Sequence, residues 1–170
     1  MKTETKIKDL HVFEGKKFSD DRGSLVKPVS LVKQNIKFNL VETWFTLSKI
    51  NVIRGMHMQV EPFPINKLVS VIQGKLVDVV IDCRFHSPSY GIFEEFILDG
   101  DDSKLLYIPA GCAHGYKVLE ENTITMYMSD NIHHGPSDVG FKYDSFGYNW
   151  KIDKPIISEK DRTLPDFEKK

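Results

Sequence analysis

Two histidines in this chain lie in contexts typical of a pocket wall. His57 follows Arg54-Gly55-Met56, and His114 ends the segment Pro-Ala-Gly-Cys-Ala-His at 109–114. An imidazole changes charge near neutral pH, so such a residue can act as a general acid or base or as a metal ligand. Taken alone, His57 would be better explained as a hydrogen-bonded core histidine. The surrounding elements and motifs therefore decide the interpretation.

The elements around these histidines alternate apolar and polar residues and are punctuated by Gly and Pro. A period of two with such turns predicts antiparallel strands. We expect strands at 5–13, 24–32, 38–48, 67–72, 76–82, 93–98, 105–109, 113–119 and 123–128. Short strands at this spacing favour a sandwich or barrel with both histidines at its mouth, where small molecules bind. We expect the aromatic tail after residue 140 to pack across that mouth, with Ser158 capping a short helix.

Composition restricts the class of protein. The 170 residues predict one domain, 1–170, and 23 basic against 24 acidic residues give a net charge of -1. That balance argues against nucleic acid as the main partner. Cys83 and Cys112 lack metal or disulfide spacing, which favours buried cysteines in a reducing cytoplasm. No apolar stretch suggests a signal peptide or a membrane span, so we expect a cytoplasmic protein without membrane contact.

The histidine motifs resemble those of the cupins. Pro109-x-Gly111-x-x-His114 is similar to the second cupin motif, whereas the first motif here reads His57-x-Gln59 and lacks the usual second histidine and glutamate. Two histidines are a poor ligand set for a transition metal. We therefore expect no metal and no cofactor, and a metal-dependent cupin enzyme stays as an alternative.

A closer resemblance is to the dTDP-4-dehydrorhamnose 3,5-epimerase family, which are metal-free cupins. It extends over nearly the whole chain, and its specificity lies in the order of the motifs. These are the segments 21–23 (DRG), 53–59 (IRGMHMQ), 67–69 (KLV), 74–79 (GKLVDV), 82–84 (DCR), 87–91 (SPSYG), 108–116 (IPAGCAHGY) and 158–161 (SEKD), with Tyr127 thirteen residues after His114. The resemblance implies an all-β fold, the double-stranded β-helix jelly roll, with a short helical or irregular C-terminal tail.

The resemblance also implies a reaction. Family members invert C3 and C5 of a nucleotide-diphospho-4-keto-6-deoxysugar through an enolate, in the synthesis of surface-polysaccharide precursors. The chemistry needs a base, a group that stabilises the enolate oxygen and an acid on the opposite ring face. By resemblance His57 is the base and Asp161 orients it, Lys67 stabilises the enolate, and Tyr127 is the acid.

Other residues are implied to bind substrate. Arg54, Gln59 and Lys160 would contact it, and His114 would lie beneath the sugar. In the family, the arginine at the position of Arg22 reaches the diphosphate from the other subunit, which implies a homodimer.

Some positions depart from the family pattern. Lys27 stands where an acidic residue is usual and Glu42 where a glutamine is usual, both around the nucleotide, so GDP competes with dTDP as the nucleotide. His133 stands where a second tyrosine is usual, which leaves inversion at C3 alone as an alternative. A non-catalytic sugar-binding cupin is a further alternative, although the presence of His57, Asp161, Lys67 and Tyr127 together argues against it.

Overall fold

The structure is a computed structural model and describes residues 2–169. Its strands are β1 (Lys2–Glu4), β2 (His11–Glu14), β3 (Lys16–Asp20), β4 (Gly23–Lys27), β5 (Glu42–Ser48), β6 (Ile53–Gln59), β7 (Lys67–Gln73), β8 (Lys75–Asp82), β9 (Phe93–Asp99), β10 (Lys104–Ile108), β11 (Cys112–Val118), β12 (Thr123–Ser129) and β13 (Asp138–Gly140). A 3₁₀ turn spans Gly135–Ser137, and the helix α1 spans Glu159–Arg162.

Two antiparallel sheets form the body of the molecule. One has the order β1-β2-β10-β7-β12-β5 and the other the order β13-β6-β11-β8-β9. Val69, Leu106 and Tyr127 from the first sheet and Val80 and Tyr116 from the second share one buried cluster, so this cluster lies between the sheets. The all-β sandwich or barrel predicted from the alternation is confirmed, and it consists of two packed sheets.

The strand β8 shows how the sequence pattern produces this packing. Leu76 and Val80 point between the sheets, whereas Val77, Val79 and Ile81 point to the opposite face. Both faces are buried, which is why β8 is an almost continuous apolar run. Burying each of these side chains contributes about 1.5–3 kcal/mol.

The outer face of the second sheet is covered by the C-terminal tail. Phe141 and Trp150 pack there, and the Trp150 indole donates a hydrogen bond to the Tyr143 carbonyl oxygen at 2.7 Å. The expectation that the tail crosses the barrel mouth was therefore wrong for most of its length, because its aromatic residues bury the apolar outer face of β8. The short segment around α1 does reach the pocket, and the predicted cap is confirmed: Ser158 Oγ accepts from the Asp161 N–H at 3.1 Å.

Three predicted strands were too long. Residues 5–10 form turns, in which Ile7 and Leu10 are buried without joining a sheet and the backbone of Asp9 has a positive φ of 65°. Residues 28–41 also lie outside strands, although Leu31 and Ile36 cover the outer face of the first sheet. In both segments apolar residues indicated burial, and burial does not require a sheet partner.

The β3–β4 hairpin projects from the body as an arm. Its turn is Asp21-Arg22, and its two strands pair with each other. Phe18 and Leu25 on this arm are about half exposed. Over residues 2–169, the structure has no helix that is long and apolar enough to cross a membrane.

Candidate active site

A cavity of about 770 Å³ is lined by residues of both sheets and of the tail. It brings together all the predicted site residues except Arg22 and Lys27. Those that line it are Glu42, Arg54, His57, Gln59, Lys67, His114, Tyr127, His133, Lys160 and Asp161.

Glycines set the position of the two histidines. His57 and His114 are cross-strand partners on β6 and β11. Near them, Gly55 has a φ of +121°, and a Cβ there would lie 2.5 Å from the Cα of Gly115. A side chain at Gly55 would thus separate the strands and favour a different backbone conformation. The glycines of the two motifs allow the close backbone approach that places both imidazoles in one cavity.

His57 forms a dyad with Asp161. Its Nε2 lies 2.7 Å from Oδ1 of Asp161, whose other oxygen accepts from the Gly55 N–H at 3.3 Å. Burial would raise the pKa of Asp161, but the hydrogen bonds from His57 and Gly55 outweigh it and hold the pKa below its ordinary value. The carboxylate therefore stays charged and can orient His57 and stabilise its protonated form. The His57 side chain remains 27% exposed and accessible from the cavity.

His114 lies deeper. It is almost fully buried, and its Nδ1 lies 3.1 Å from Oδ2 of Asp78, which is completely buried. Burial lowers the pKa of His114, and the attraction of Asp78 offsets part of that effect. The contact with Asp78 therefore fixes the orientation of the buried imidazole in the cavity wall.

Lys67 begins β7 in the first sheet and points its charge into the cavity. Burial lowers its pKa from 10.5 to about 8, although the carboxylates of Asp138 and Asp78 oppose the shift. Because its pKa of about 8 lies above neutral pH, Lys67 is still mostly cationic there. Perturbed cationic groups in a cleft mark functional sites.

Tyr127 lies on β12, in the sheet opposite that of His57. Its ring stacks on Trp44 with centroids 5.1 Å apart and an interplanar angle of 5°, and it meets His114 edge-on at 6.1 Å. Burial raises the pKa of Tyr127 well above its ordinary value. The phenol therefore keeps its proton until an acceptor appears in the cavity.

The rim of the cavity carries charged groups. Lys160 Nζ lies 2.5 Å and His133 Nε2 3.6 Å from Oδ2 of Asp138, and Glu42 Oε2 accepts from the His133 N–H at 3.0 Å. Burial would raise the pKa of Asp138, but the Lys160 hydrogen bond outweighs it and the pKa is lowered. These contacts place two predicted binding residues, His133 and Lys160, at one edge of the cavity.

Gln59 and Arg54 differ in how many of their hydrogen-bonding groups are engaged within the chain. The Gln59 amide donates to the carbonyl oxygens of Phe63 and Ile132, at 2.6 and 3.1 Å, and accepts from the His134 N–H at 2.9 Å. Both of its N–H groups are thus engaged within the chain, so Gln59 holds the loop that carries His133. Arg54 donates through Nε to Ser48 Oγ at 3.2 Å, and its guanidinium forms no other hydrogen bond among the described residues.

Arg22 and Lys27 lie on the arm, outside this cavity. Arg22 is 90% exposed and pairs with Asp20 two residues earlier. The arm's sheet contains β3 and β4 alone. Within one chain, these two predicted binding residues are not brought to the other ten.

The lining residues that were not predicted as site residues include Trp44, Thr46, Tyr116 and Asp138. Three of these residues could have been found from the period of two, because residues two apart on a strand share a face. Trp44 and Thr46 lie two and four residues after Glu42 on β5, and Tyr116 lies two residues after His114 on β11. Asp138 belongs to the three-residue strand β13, which is too short to show a pattern.

The geometry also bears on metal ligation. Within residues 2–169, no three side chains of His, Cys, Asp or Glu are grouped so that they could hold a metal ion. The two cysteines are free, with Cys112 buried and Cys83 half-buried.

A two-sheet antiparallel jelly roll with a polar pocket defines the cupin class. The family model for dTDP-4-dehydrorhamnose 3,5-epimerase matches residues 4–169. The dTDP-4-dehydrorhamnose 3,5-epimerase of Sinorhizobium fredii is 35% identical over 168 residues, which cover 95% of this chain and 86% of that protein. The chain belongs to the dTDP-4-dehydrorhamnose 3,5-epimerase family.

Solved structures agree in fold. The crystal structure of the Bacillus anthracis dTDP-4-dehydrorhamnose 3,5-epimerase, with TDP and PPi bound, has a TM-score of 0.94 and 32% identity, and covers 98% of this chain and 99% of that one. The 3,5-epimerase of Legionella pneumophila, in complex with dTDP-4-keto-L-rhamnose, has a TM-score of 0.89 and 27% identity, and covers 99% of each chain. The jelly-roll fold and the family resemblance inferred from the motifs are thereby confirmed.

Proposed function

We propose that this protein is an isomerase that inverts C3 and C5 of a nucleotide-diphospho-4-keto-6-deoxysugar through an enolate. The observation that carries the proposal is the placement of His57, which contacts Asp161, and Tyr127 on opposite sheets, with Lys67 in the same cavity. Inversion at carbon requires a proton to leave one ring face and another to arrive at the opposite face. Groups from two facing sheets can meet that requirement.

The base is His57. A proton on a carbon next to the C4 ketone is acidic because its removal gives an enolate. The Asp161 carboxylate orients the imidazole and stabilises the imidazolium that forms when His57 takes this proton.

The enolate oxygen is stabilised by Lys67. Its ammonium group carries positive charge at neutral pH and lies in a partly dry cavity, where a charge is less screened than in water. Stabilising the developing negative charge in this way lowers the barrier to proton removal.

The acid is Tyr127. Its stacking on Trp44 fixes the ring plane, and its high pKa keeps it protonated before the reaction. The phenol then gives its proton to the enolate carbon from the face opposite His57. His114 supports the sugar from below.

The nucleotide and diphosphate contact the rim. Arg54 and Lys160 supply cations for the diphosphate, since guanidinium and ammonium groups suit phosphate oxygens. The relatives named above bind TDP or a dTDP-sugar. For this chain we keep dTDP and GDP as candidates, because Glu42 places a carboxylate at the rim. His133 at the same rim keeps inversion at C3 alone as the narrower form of the activity.

A homodimer belongs to this proposal. The arm carries Arg22 and Lys27 away from their own pocket, and Phe45 and Leu47 on the edge strand β5 are 72% and 60% exposed. A second copy that covers β5 would receive the arm and place Arg22 at its diphosphate. Mixing inactive Arg22→Ala and His57→Ala variants should then restore part of the activity. Continued inactivity of the mixture would contradict a shared site.

The proposal is tested by proton exchange. The protein is incubated in D₂O with dTDP- and GDP-linked 4-keto-6-deoxysugars, and deuterium at C3 and C5 is followed by NMR. We expect exchange and inversion that survive dialysis against EDTA. Deuterium at C3 alone identifies a 3-epimerase, and the absence of exchange with both nucleotide series in folded protein would refute the proposal. A cytoplasmic location remains a prediction.

A further inference from the structure

Asn66 is the residue before Lys67, and its side chain joins the ends of three strands. Its Oδ1 accepts from the Ala110 N–H at 2.8 Å, and its Nδ2 donates to Oδ2 of Asp130 at 2.6 Å. Its backbone N–H donates to Oδ1 of the same carboxylate at 2.8 Å. Ala110 follows the end of β10 and Asp130 follows the end of β12, so one side chain bridges both neighbours of β7.

These bonds lie one position beyond Lys67 in the sheet. Lys67 is the first residue of β7, and it pairs with Ile108 on β10 and with Ser129 on β12. Strand ends open more easily than strand centres, because the ladder of hydrogen bonds stops there. The bonds of Asn66 continue the contacts past that point on both sides, so they fix the backbone from which the Lys67 side chain begins.

The ammonium group of Lys67 depends on that backbone for its position. Within residues 2–169 its Nζ forms no hydrogen bond or ion pair, and the carboxylates of Asp138 and Asp78 act on it through charge alone. A group that stabilises developing charge is effective when it is held in place before the charge appears. Since no partner anchors the ammonium itself, its placement comes from the start of the strand and from the cavity walls around its stem.

The Asn66–Asp130 pair lies beside the cavity and not in its wall. Both residues are half-buried, and neither is among the residues that line the cavity. Asn66 precedes Lys67 and Asp130 follows Ser129, and these two neighbours do line it. Any effect of the pair on the reaction therefore passes through a neighbour, and Lys67 is the neighbour whose charge the reaction uses.

We propose that Asn66 and Asp130 are positioning residues of this active site, which hold the start of β7 so that the Lys67 ammonium lies at the enolate oxygen. This inference rests on the proposed function, in which Lys67 stabilises the enolate. The enolate forms only when the proton leaves, so the pair affects the chemical step and not the binding of the nucleotide sugar.

The first test exchanges the two partners. Asn66→Asp places two carboxylates against each other and should lower kcat for deuterium exchange about 10- to 100-fold, the effect of a displacement of about 1 Å at a reacting group. KM should stay within about twofold, since ground-state binding is unchanged. In the double variant Asn66→Asp/Asp130→Asn every donor again faces an acceptor, and most of the wild-type kcat should return.

The second test is a pH profile, which shows whether Lys67 is the group affected. The wild type should lose kcat/KM above about pH 8 as Lys67 titrates. If Asn66→Ala displaces the ammonium, the remaining activity should depend less on that titration, and the decline should flatten. The variant leaves in place the other titratable groups that interact with Lys67, which are Asp78, Asp138, Lys160 and His114.

Thr123 offers a matched control for a loss of stability. It begins β12, at the end of that strand away from Lys67, and does not line the cavity. Its Oγ1 accepts from the Lys75 N–H at 3.2 Å and donates to the Glu120 carbonyl oxygen at 2.7 Å, so it also joins strand ends. Thr123→Val should lower the melting temperature while kcat and the pH profile stay as in the wild type.

The outcomes separate this proposal from the epimerase proposal. Wild-type kcat in Asn66→Asp, or a raised KM with unchanged kcat, would overturn the positioning role. So would a double variant that does not recover, an unchanged decline above pH 8 in Asn66→Ala, or an equal loss of kcat in Thr123→Val. In each of these cases an active wild type leaves the epimerase proposal intact. If Asn66→Asp does not fold, Asn66→Ala and the double variant decide. A wild type without exchange refutes both proposals.

Discussion

Nε2 of His57 lies 2.7 Å from Oδ1 of Asp161, although the two residues are separated by 104 positions in the chain. The carboxylate is nearly buried, with a side-chain exposure of 4%, and it also holds the backbone of Gly55. One C-terminal residue thus connects the tail to the strand that carries His57, the proposed base.

We predict that His57→Ala abolishes deuterium exchange at both C3 and C5, because no other group takes the proton. Asp161→Asn should reduce exchange by about 10²-fold or more, since an amide does not stabilise the imidazolium. Circular dichroism should show native folding in both variants. Wild-type exchange in folded His57→Ala would show that the base is another residue.

Tyr127→Phe should separate exchange from inversion. The variant keeps the ring that stacks on Trp44 and removes the donor alone. His57 should continue to abstract protons, so deuterium washes into the starting sugar while net inversion falls far more than exchange. NMR of the residual substrate measures the deuterium exchange, and NMR of the product measures the net inversion. If Tyr127→Phe inverts the sugar at the wild-type rate, the acid is another group, with His133 and bound water as the next candidates.

The pH dependence of kcat/KM should reveal the titration of Lys67. Burial lowers its pKa to about 8, and the ammonium form is the one that stabilises an enolate. We therefore expect kcat/KM to fall as the pH rises above about 8, and we expect Lys67→Arg, which stays charged, to lose this decline even if its overall rate is lower.

The free energy of unfolding should rise with pH between about 8 and 10.5, whereas kcat/KM should fall. Because the pKa of Lys67 is lower in the folded protein than its ordinary value of 10.5, the unfolded chain binds more protons between about 8 and 10.5. This group therefore makes the folded state more stable as the pH rises there. A thermal melt at each pH separates the two effects: loss of activity that follows unfolding would contradict the assignment to Lys67.

Nucleotide preference should reveal the role of Glu42. Its carboxylate can accept the paired N–H donors of a guanine edge, so we predict that GDP binds at least as well as dTDP in calorimetry. Glu42→Gln should weaken GDP more than dTDP. A clear preference of the wild type for dTDP would show that the interpretation of Lys27 and Glu42 was wrong.

From its sequence alone, the chain could be recognised as a jelly roll with a defined pocket. Period-two alternation predicted most strands, because in a sheet each side chain alternates between a buried and an open face. The family resemblance of the ordered motifs, among them those around His57 and His114, supplied the site residues, and the structure brings ten of those twelve residues into one cavity.

Tertiary structure decided where the segments outside the strands pack and which residues meet across the two sheets. Residues 5–10 and 28–41 bury apolar side chains without joining a sheet, and a local pattern reports burial rather than hydrogen-bond partners. The tail lies mostly on the outer face of β8, because both faces of that strand are apolar and one had no other cover. The contact of Tyr116 with Thr46 joins two sheets across 70 residues. Such a contact depends on how the sheets face each other, and no spacing within one strand records it.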